Sequence, residues 1–165
     1  MVPTNWKWRH EPPTALDTVI VDIDGVLADA SHRQHLLAGP VPDWRAFYER
    51  GVDDLPIAAM AGLLEALRAD RTITMLSARP LWAQPDTIEW FDRHGLRWDL
   101  LIMREWPSGL DAPSFKARSV AELRSHGYEP SLAFDDDPRN VAMFEAAGIP
   151  CVYVHSGYYG LMHLQ

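Results

Sequence analysis

Two aspartates separated by one residue, Asp22 and Asp24, close an apolar stretch, and Gly25 follows at once. In an extended chain alternate side chains point the same way, so the two carboxylates can share one site. Gly25 lets the backbone turn sharply behind them. A carboxylate can attack phosphorus and form an aspartyl-phosphate. The leaving alcohol then needs a proton, and the attacking water must later lose one; a second carboxylate two residues away can serve both steps. Further along stand Ser77, Arg79, Arg104, Lys116 and the run Asp135, Asp136, Asp137. Carboxylates gathered at one place repel and raise one another's pKa values, a problem that a divalent cation resolves. A ligand set of oxygens, without Cys or His, points to magnesium rather than zinc. Ser77, Lys116 and the metal would supply donors and positive charge for phosphoryl oxygens, in a reaction that is mostly positioning and charge neutralisation.

These residues meet only if the chain brings them to one rim. Residues 18–23 are mostly β-branched and apolar, as in a strand buried on both faces of a parallel sheet. Further strands are predicted over 72–76, 99–103, 131–134 and 151–154. Helices are predicted over 57–68, 86–94, 114–126 and from Pro138 towards Gly148, with a short one over 44–50 that Asp43 caps. The alternation implies an α/β fold, a three-layer α/β/α sandwich on a Rossmann-like parallel sheet. In such sheets the site lies beyond the carboxyl ends of the strands, where Asp22, Ser77, Arg104 and Asp135 all fall. Residues 1–16, with Pro3, Pro12 and Pro13, read as an irregular leader, and residues 17–165 as one domain with a small cap insert at about 28–56.

Composition narrows the function classes. The chain has 165 residues and a formal net charge of −8, which disfavours sequence-blind binding along nucleic acid. Cys151 is the single cysteine, so no intrachain disulfide can form. No apolar run suits a bilayer span, and the first residues hold no signal-peptide core, so a soluble cytoplasmic protein without membrane contact is expected.

VDIDGVLAD (residues 21–29) resembles the first motif of the haloacid dehalogenase superfamily. Ser77 matches its second motif, Lys116 its third and FDDD (residues 134–137) its fourth. Within that superfamily the chain looks most like the phosphatase half of polynucleotide kinase-phosphatase. ADASHR (28–33), SARP (77–80), DTIEWF (86–91), DLLIMR (99–104) and LAFDDDPRNVAMFEAAGIP (132–150) carry the likeness. The resemblance implies a phosphatase with Asp22 as nucleophile and Asp24 as acid/base. It implies Mg2+ held by Asp22, the Asp24 backbone carbonyl, Asp135 and Asp136, and a substrate-facing set of Arg33, Arg79 and Arg104. The expected substrate is a phosphorylated nucleotide or the 3′-phosphate end of a nucleic acid. The chain departs from the pattern in three places. No GxxxxGK[ST] loop is present, so a kinase would be a separate partner. Val26 stands where threonine is usual, and Asp137 replaces an arginine found in some polynucleotide phosphatases. The short insert implies a small cap and an open site.

Plainer readings stand beside these. Asp137 suits the N-terminus of the helix after it. Arg33, Arg79 and Arg104 can serve structural ion pairs. His32 and His35 have helical spacing but no third ligand nearby. Trp44, Phe47 and Tyr48 can stack a base or pack the insert. Tyr158 and Tyr159 can pack on the sheet edge or line the site, and Cys151 in its strand is inert. Two rival functions remain: a phosphatase of free mononucleotides or another small metabolite, and a non-catalytic module that binds a nucleotide or a repair partner.

Overall fold

β-Branched side chains crowd a helical turn but fit a pleated strand, and Thr18, Val19, Ile20 and Val21 form the centre of the sheet. The computed structural model describes residues 2–14, 17–67 and 69–159. In chain order these form β1 (Trp6–Trp8), β2 (Asp17–Val21), β3 (Ala28–Asp29), α1 (Trp44–Glu49), β4 (Leu55–Pro56), α2 (Ala58–Ala66) and β5 (Thr72–Pro80). There follow α3 (Gln84–Arg93), β6 (Leu100–Arg104), α4 (Ala112–Ser125), β7 (Glu129–Asp135), α5 (Pro138–Ala146) and β8 (Cys151–Tyr153). The main sheet runs β1-β6-β5-β2-β7-β8. Every pairing in it is parallel except β1 with β6.

Successive strand residues face opposite sides, so β2 builds two cores. Val19 and Val21 pack with Leu64 of α2 and with Trp90 and Phe91 of α3. Ile20 packs with Phe115 and Leu123 of α4 and Phe144 of α5. The result is the three-layer α/β/α sandwich, with α2 and α3 on one face and α4 and α5 on the other. Leu64, Phe91, Phe115 and Phe144 are all fully buried, each worth roughly 1.5–3 kcal/mol of transfer from water. Asp111 caps α4 by accepting from the Ser114 amide at 2.9 Å, and Asp43 caps α1 through the Ala46 amide at 3.0 Å.

The leader differs from its expectation. Trp6–Trp8 pairs antiparallel with β6, Trp6 opposite Ile102, and Trp6 buries itself in the core beside Tyr128. Pro3, Pro12 and Pro13 bracket this stretch rather than interrupt it, and its partner strand lies far along the chain. Residues 15 and 16, the predicted end of the second helix at residue 68 and residues 160–165 of the tail lie outside the described residues. β5 runs on to Pro80, past the predicted limit, so Ser77 and Arg79 are strand residues.

The insert leaves the sheet after β2 and returns through β4. β3 and β4 pair antiparallel at its base, Ala28 opposite Pro56. Ala30, Phe47 and Tyr48 form its own small core, with Tyr158 from the tail packed against them. Among the described residues no helix is long and apolar enough to cross a membrane.

Candidate active site

The carboxyl edge of the sheet delivers the expected residues. Asp22 follows the last residue of β2, Ser77 and Arg79 end β5, Arg104 ends β6 and Asp135 ends β7. Lys116 reaches in from the first turns of α4. Gly25 has φ +82°, a conformation that L side chains rarely adopt. A Cβ there would also run into the Asp136 carboxylate.

Asp22, Asp135 and Asp136 offer carboxylate oxygens that lie within 4.8 Å of one another, all on buried residues. Lys116 Nζ lies 2.5 Å from Asp135 Oδ2 and 3.0 Å from Asp22 Oδ1. Asp135 Oδ1 also accepts from the Asn140 side-chain amide and the Asp137 backbone amide, each at 3.0 Å. Asp136 Oδ2 is buried without a hydrogen-bond partner. Burial pushes the Asp22 carboxyl up to about 7; Lys116 opposes this, while Asp135 and Asp24 add to it. Burial, then the charge of Asp22, pushes Asp136 up to about 8. One lysine does not balance this cluster. Three hard oxygen donors, one of them orphaned, fit a magnesium-sized cation.

The Asp24 side chain stands outside the cluster and turns towards two arginines. Arg79 Nε donates to both of its oxygens at 3.1 Å, and a terminal nitrogen of the same guanidinium lies 2.6 Å from Oδ1. Arg33 bonds the same Oδ1. Burial would raise the Asp24 carboxyl, but the two guanidinium groups outweigh it and hold it well below the usual carboxylate range.

A residue that sequence reasoning missed holds the arginines. Asp54, fully buried just before β4, accepts from Arg33 at 2.8 and 2.6 Å and from Arg79 at 3.1 Å. Its Oδ1 also lies 2.9 Å from His32 Nε2, and its carbonyl accepts from Trp90 Nε1 at 2.8 Å. Nothing in the local pattern marks Asp54, because its partners come from three other elements. His32 thereby has a structural role, as the plainer reading had it.

A cavity of about 1050 Å³ opens over these groups, bounded by the insert, the β6–α4 loop and the tail. Asp22, Asp24, Ser77, Arg79, Arg104 and Lys116 all line it. Arg33 is not on its wall: its side chain is 0% exposed, donates to the Phe47 carbonyl at 3.1 Å and lies over the Phe47 ring. The substrate-facing role expected of Arg33 is thus corrected to one behind Asp24, since three acceptors already occupy its donors. Arg104 is better placed. One of its terminal nitrogens donates to the Leu110 carbonyl at 3.0 Å, while Nε has no partner. The Ser77 hydroxyl accepts from the Arg79 amide at 3.2 Å. Asp137 caps α5 through the Arg139 amide at 2.9 Å and pairs with the Arg139 guanidinium, the helix role expected of it. Tyr158 and Tyr159 line the cavity, and Tyr158 donates to Asp29 at 3.2 Å, tying the tail to the insert.

Residues 16–159 match the family model described as the polynucleotide kinase PNKP phosphatase domain. No match was found among curated proteins. The fold is similar to a chain of the Pnkp1/Rnl/Hen1 RNA repair complex, with a TM-score of 0.70 and 22% identity over 93% of this chain and 47% of that one. This chain therefore spans about half the length of that relative. A class C acid phosphatase from Bacillus anthracis with tungstate bound gives a TM-score of 0.65 at 16% identity, over 90% of this chain and 70% of that one. A haloacid dehalogenase-like hydrolase from Streptococcus pneumoniae gives 0.60 at 15% identity, over 86% and 85%.

Proposed function

Because the chain belongs to the family of polynucleotide kinase phosphatase domains, and so is a phosphatase of the haloacid dehalogenase type, we propose that it hydrolyses the 3′-phosphate of a nucleic acid strand or nucleotide in a magnesium-dependent reaction. The observation that carries the reading is Asp22, open to the cavity yet flanked by Lys116 and two further buried carboxylates. The side chains of Asp22, Asp135 and Asp136, with the Asp24 carbonyl, would hold Mg2+. Bound there, the metal would neutralise charge on the phosphoryl oxygens.

Asp22 attacks phosphorus, the bond to the alcohol oxygen breaks and an aspartyl-phosphate results. Lys116 and Ser77 steady the phosphoryl group as its charge shifts. Asp24 handles the protons. Arg33 and Arg79 favour its ionised form. That form accepts a proton from water as the water attacks the aspartyl-phosphate; the bond between phosphorus and the Asp22 oxygen breaks, phosphate leaves and Asp22 is restored. A phosphate dianion drawn to Arg79 takes up part of that positive charge and lets Asp24 carry a proton for the leaving alcohol. Arg79 and Arg104 line the path of the substrate.

The net charge of −8 favours a second reading, a phosphatase of free mononucleotides, because it weakens attraction for a long polyanion. The likeness in fold to a chain of an RNA repair complex is consistent with the strand end and with a repair partner. The test is phosphate release from an oligonucleotide 3′-phosphate beside a panel of nucleoside monophosphates, with and without magnesium and with Asp22→Asn as blank. Preference for the oligonucleotide supports the strand-end reading, and preference for the monomers supports the second. Equal release by wild type and Asp22→Asn on every substrate overturns both.

A further inference from the structure

Tryptophan is costly to leave bare, because its large ring gains much from burial. Yet Trp44, Trp82 and Trp106 are 43%, 40% and 51% exposed. Two of them flank one opening, and the third touches a residue of its wall. Trp44 and Trp106 line the cavity that holds Asp22, from the insert on one side and the β6–α4 loop on another. Trp82 meets Tyr48, a wall residue of that cavity, edge-on at 6.4 Å. The neighbouring aromatics behave differently: Phe47 and Tyr48 are buried and pack the insert. Trp44 stacks on Tyr48, ring centroids 5.9 Å apart with 26° between planes, so buried packing fixes its orientation. It is a rigid platform with a bare remainder.

Positive charge lies beside these rings. The Arg104 guanidinium lies 5.2 Å from the Trp106 ring centroid, and the residue lines the cavity. Arg139, paired with Asp137, lines the same cavity and is 58% exposed. Aromatic rings interleaved with guanidinium groups suit single-stranded nucleic acid, in which each base offers a face and each link a phosphate. The cavity, at about 1050 Å³, has room beyond a single phosphate group. A protein partner would also cover apolar rings, but the Arg104 guanidinium on the same cavity wall as Trp106 favours a polyanion.

We infer that Trp44 is a specificity-determining residue that stacks the unpaired base of the terminal nucleotide, while Arg104 on Trp106 receives the next phosphate of the strand. The inference rests on the proposed function and deepens it. Recognition is by stacking, so it is indifferent to which base is present. It also requires substrates with a base to exceed those without one.

The test is a cycle on the full chain with two substrates. One is a short single-stranded oligonucleotide with a 3′-phosphate; the other is the same strand with an abasic terminal residue. In the wild type, loss of the base is expected to lower kcat/KM about tenfold, carried mainly by KM. In Trp44→Ala that base effect vanishes, and in Trp44→Phe it returns, which a merely misfolded insert would not produce. An equal base effect in wild type and Trp44→Ala overturns the inference and leaves the proposed function standing; the bare ring is then a protein-docking surface. Absence of release from both strands, with release from nucleoside monophosphates, overturns the strand-end reading and this inference with it.

Discussion

Lys116 Nζ lies 3.0 Å from Asp22 Oδ1, and the lysine is almost wholly buried. Burial works against its charge, but Asp135 and Asp22 override that and hold its ammonium above the ordinary lysine range. The lysine keeps a cluster of carboxylates together and leaves positive charge beside Asp22, the proposed nucleophile. The pair therefore joins stability to chemistry, and removing either member should show in both.

Lys116→Gln is expected to lower phosphate release at least about 100-fold, since a charge aimed at the phosphoryl group is lost. It should also cost about 3–5 kcal/mol of stability, because Asp22 and Asp135 are left buried and unpaired. Urea unfolding with magnesium withheld reads the second effect apart from the first.

Asp136→Asn should act with opposite signs in two conditions. Without magnesium it removes a buried carboxylate whose Oδ2 has no partner, so the variant is expected to be at least as stable as wild type. With magnesium at about 100 times its dissociation constant, wild type gains about 2.7 kcal/mol and the variant far less. Thermal unfolding across a magnesium titration separates the two. Chelation of the metal should abolish phosphate release, and added magnesium should restore it.

Arg33→Lys keeps the charge but not the planar fork that serves Asp54, Asp24 and the Phe47 carbonyl together. A loss of about 1.5–3 kcal/mol is expected, as in the loss of a hydrogen bond to a charged group. Phosphate release should fall with it, since Asp24 loses one of its two guanidinium partners. Circular dichroism with chemical denaturation measures the first effect and a single-turnover assay the second. A variant with wild-type stability would contradict the buried placement of this side chain.

Gly25→Ala is expected to cost about 1–2 kcal/mol from the backbone alone, at φ +82°. The added Cβ also displaces the Asp136 carboxylate, so magnesium affinity should drop along with stability. Isothermal titration with magnesium measures the affinity. Unchanged affinity would show that the Asp136 carboxylate does not contribute to the cation site.

Much of this fold could be read from short stretches. Residues 18–21 declare a buried strand by being apolar and β-branched, and Asp43 declares the start of α1 by its capping side chain. Asp22 and Asp24 sit just beyond that strand, and the parallel alternation places Asp135 and Asp136 beside them. These features depend on neighbours one to four residues away, and strand period, helix caps and turns all act over that range. The pairing of Trp6–Trp8 with β6 lay beyond it, because an edge strand takes its partner from packing on a distant sheet.

The division between Arg33 and Arg79 was settled in the same way. As letters, both are arginines for which the same role is expected. In the folded chain Asp54 closes round the two, and only Arg79 is left on the cavity wall. Asp24 and Arg79 stand 55 positions apart in the chain, and their contact exists only because β2 and β5 lie side by side. Trp44 and its neighbour Phe47 likewise share one short helix, yet one ring is bare and the other buried. Residue type and spacing set the chemistry that the chain can offer. Which charges pair, and which rings stay bare, depend on desolvation and shape across the assembled layers.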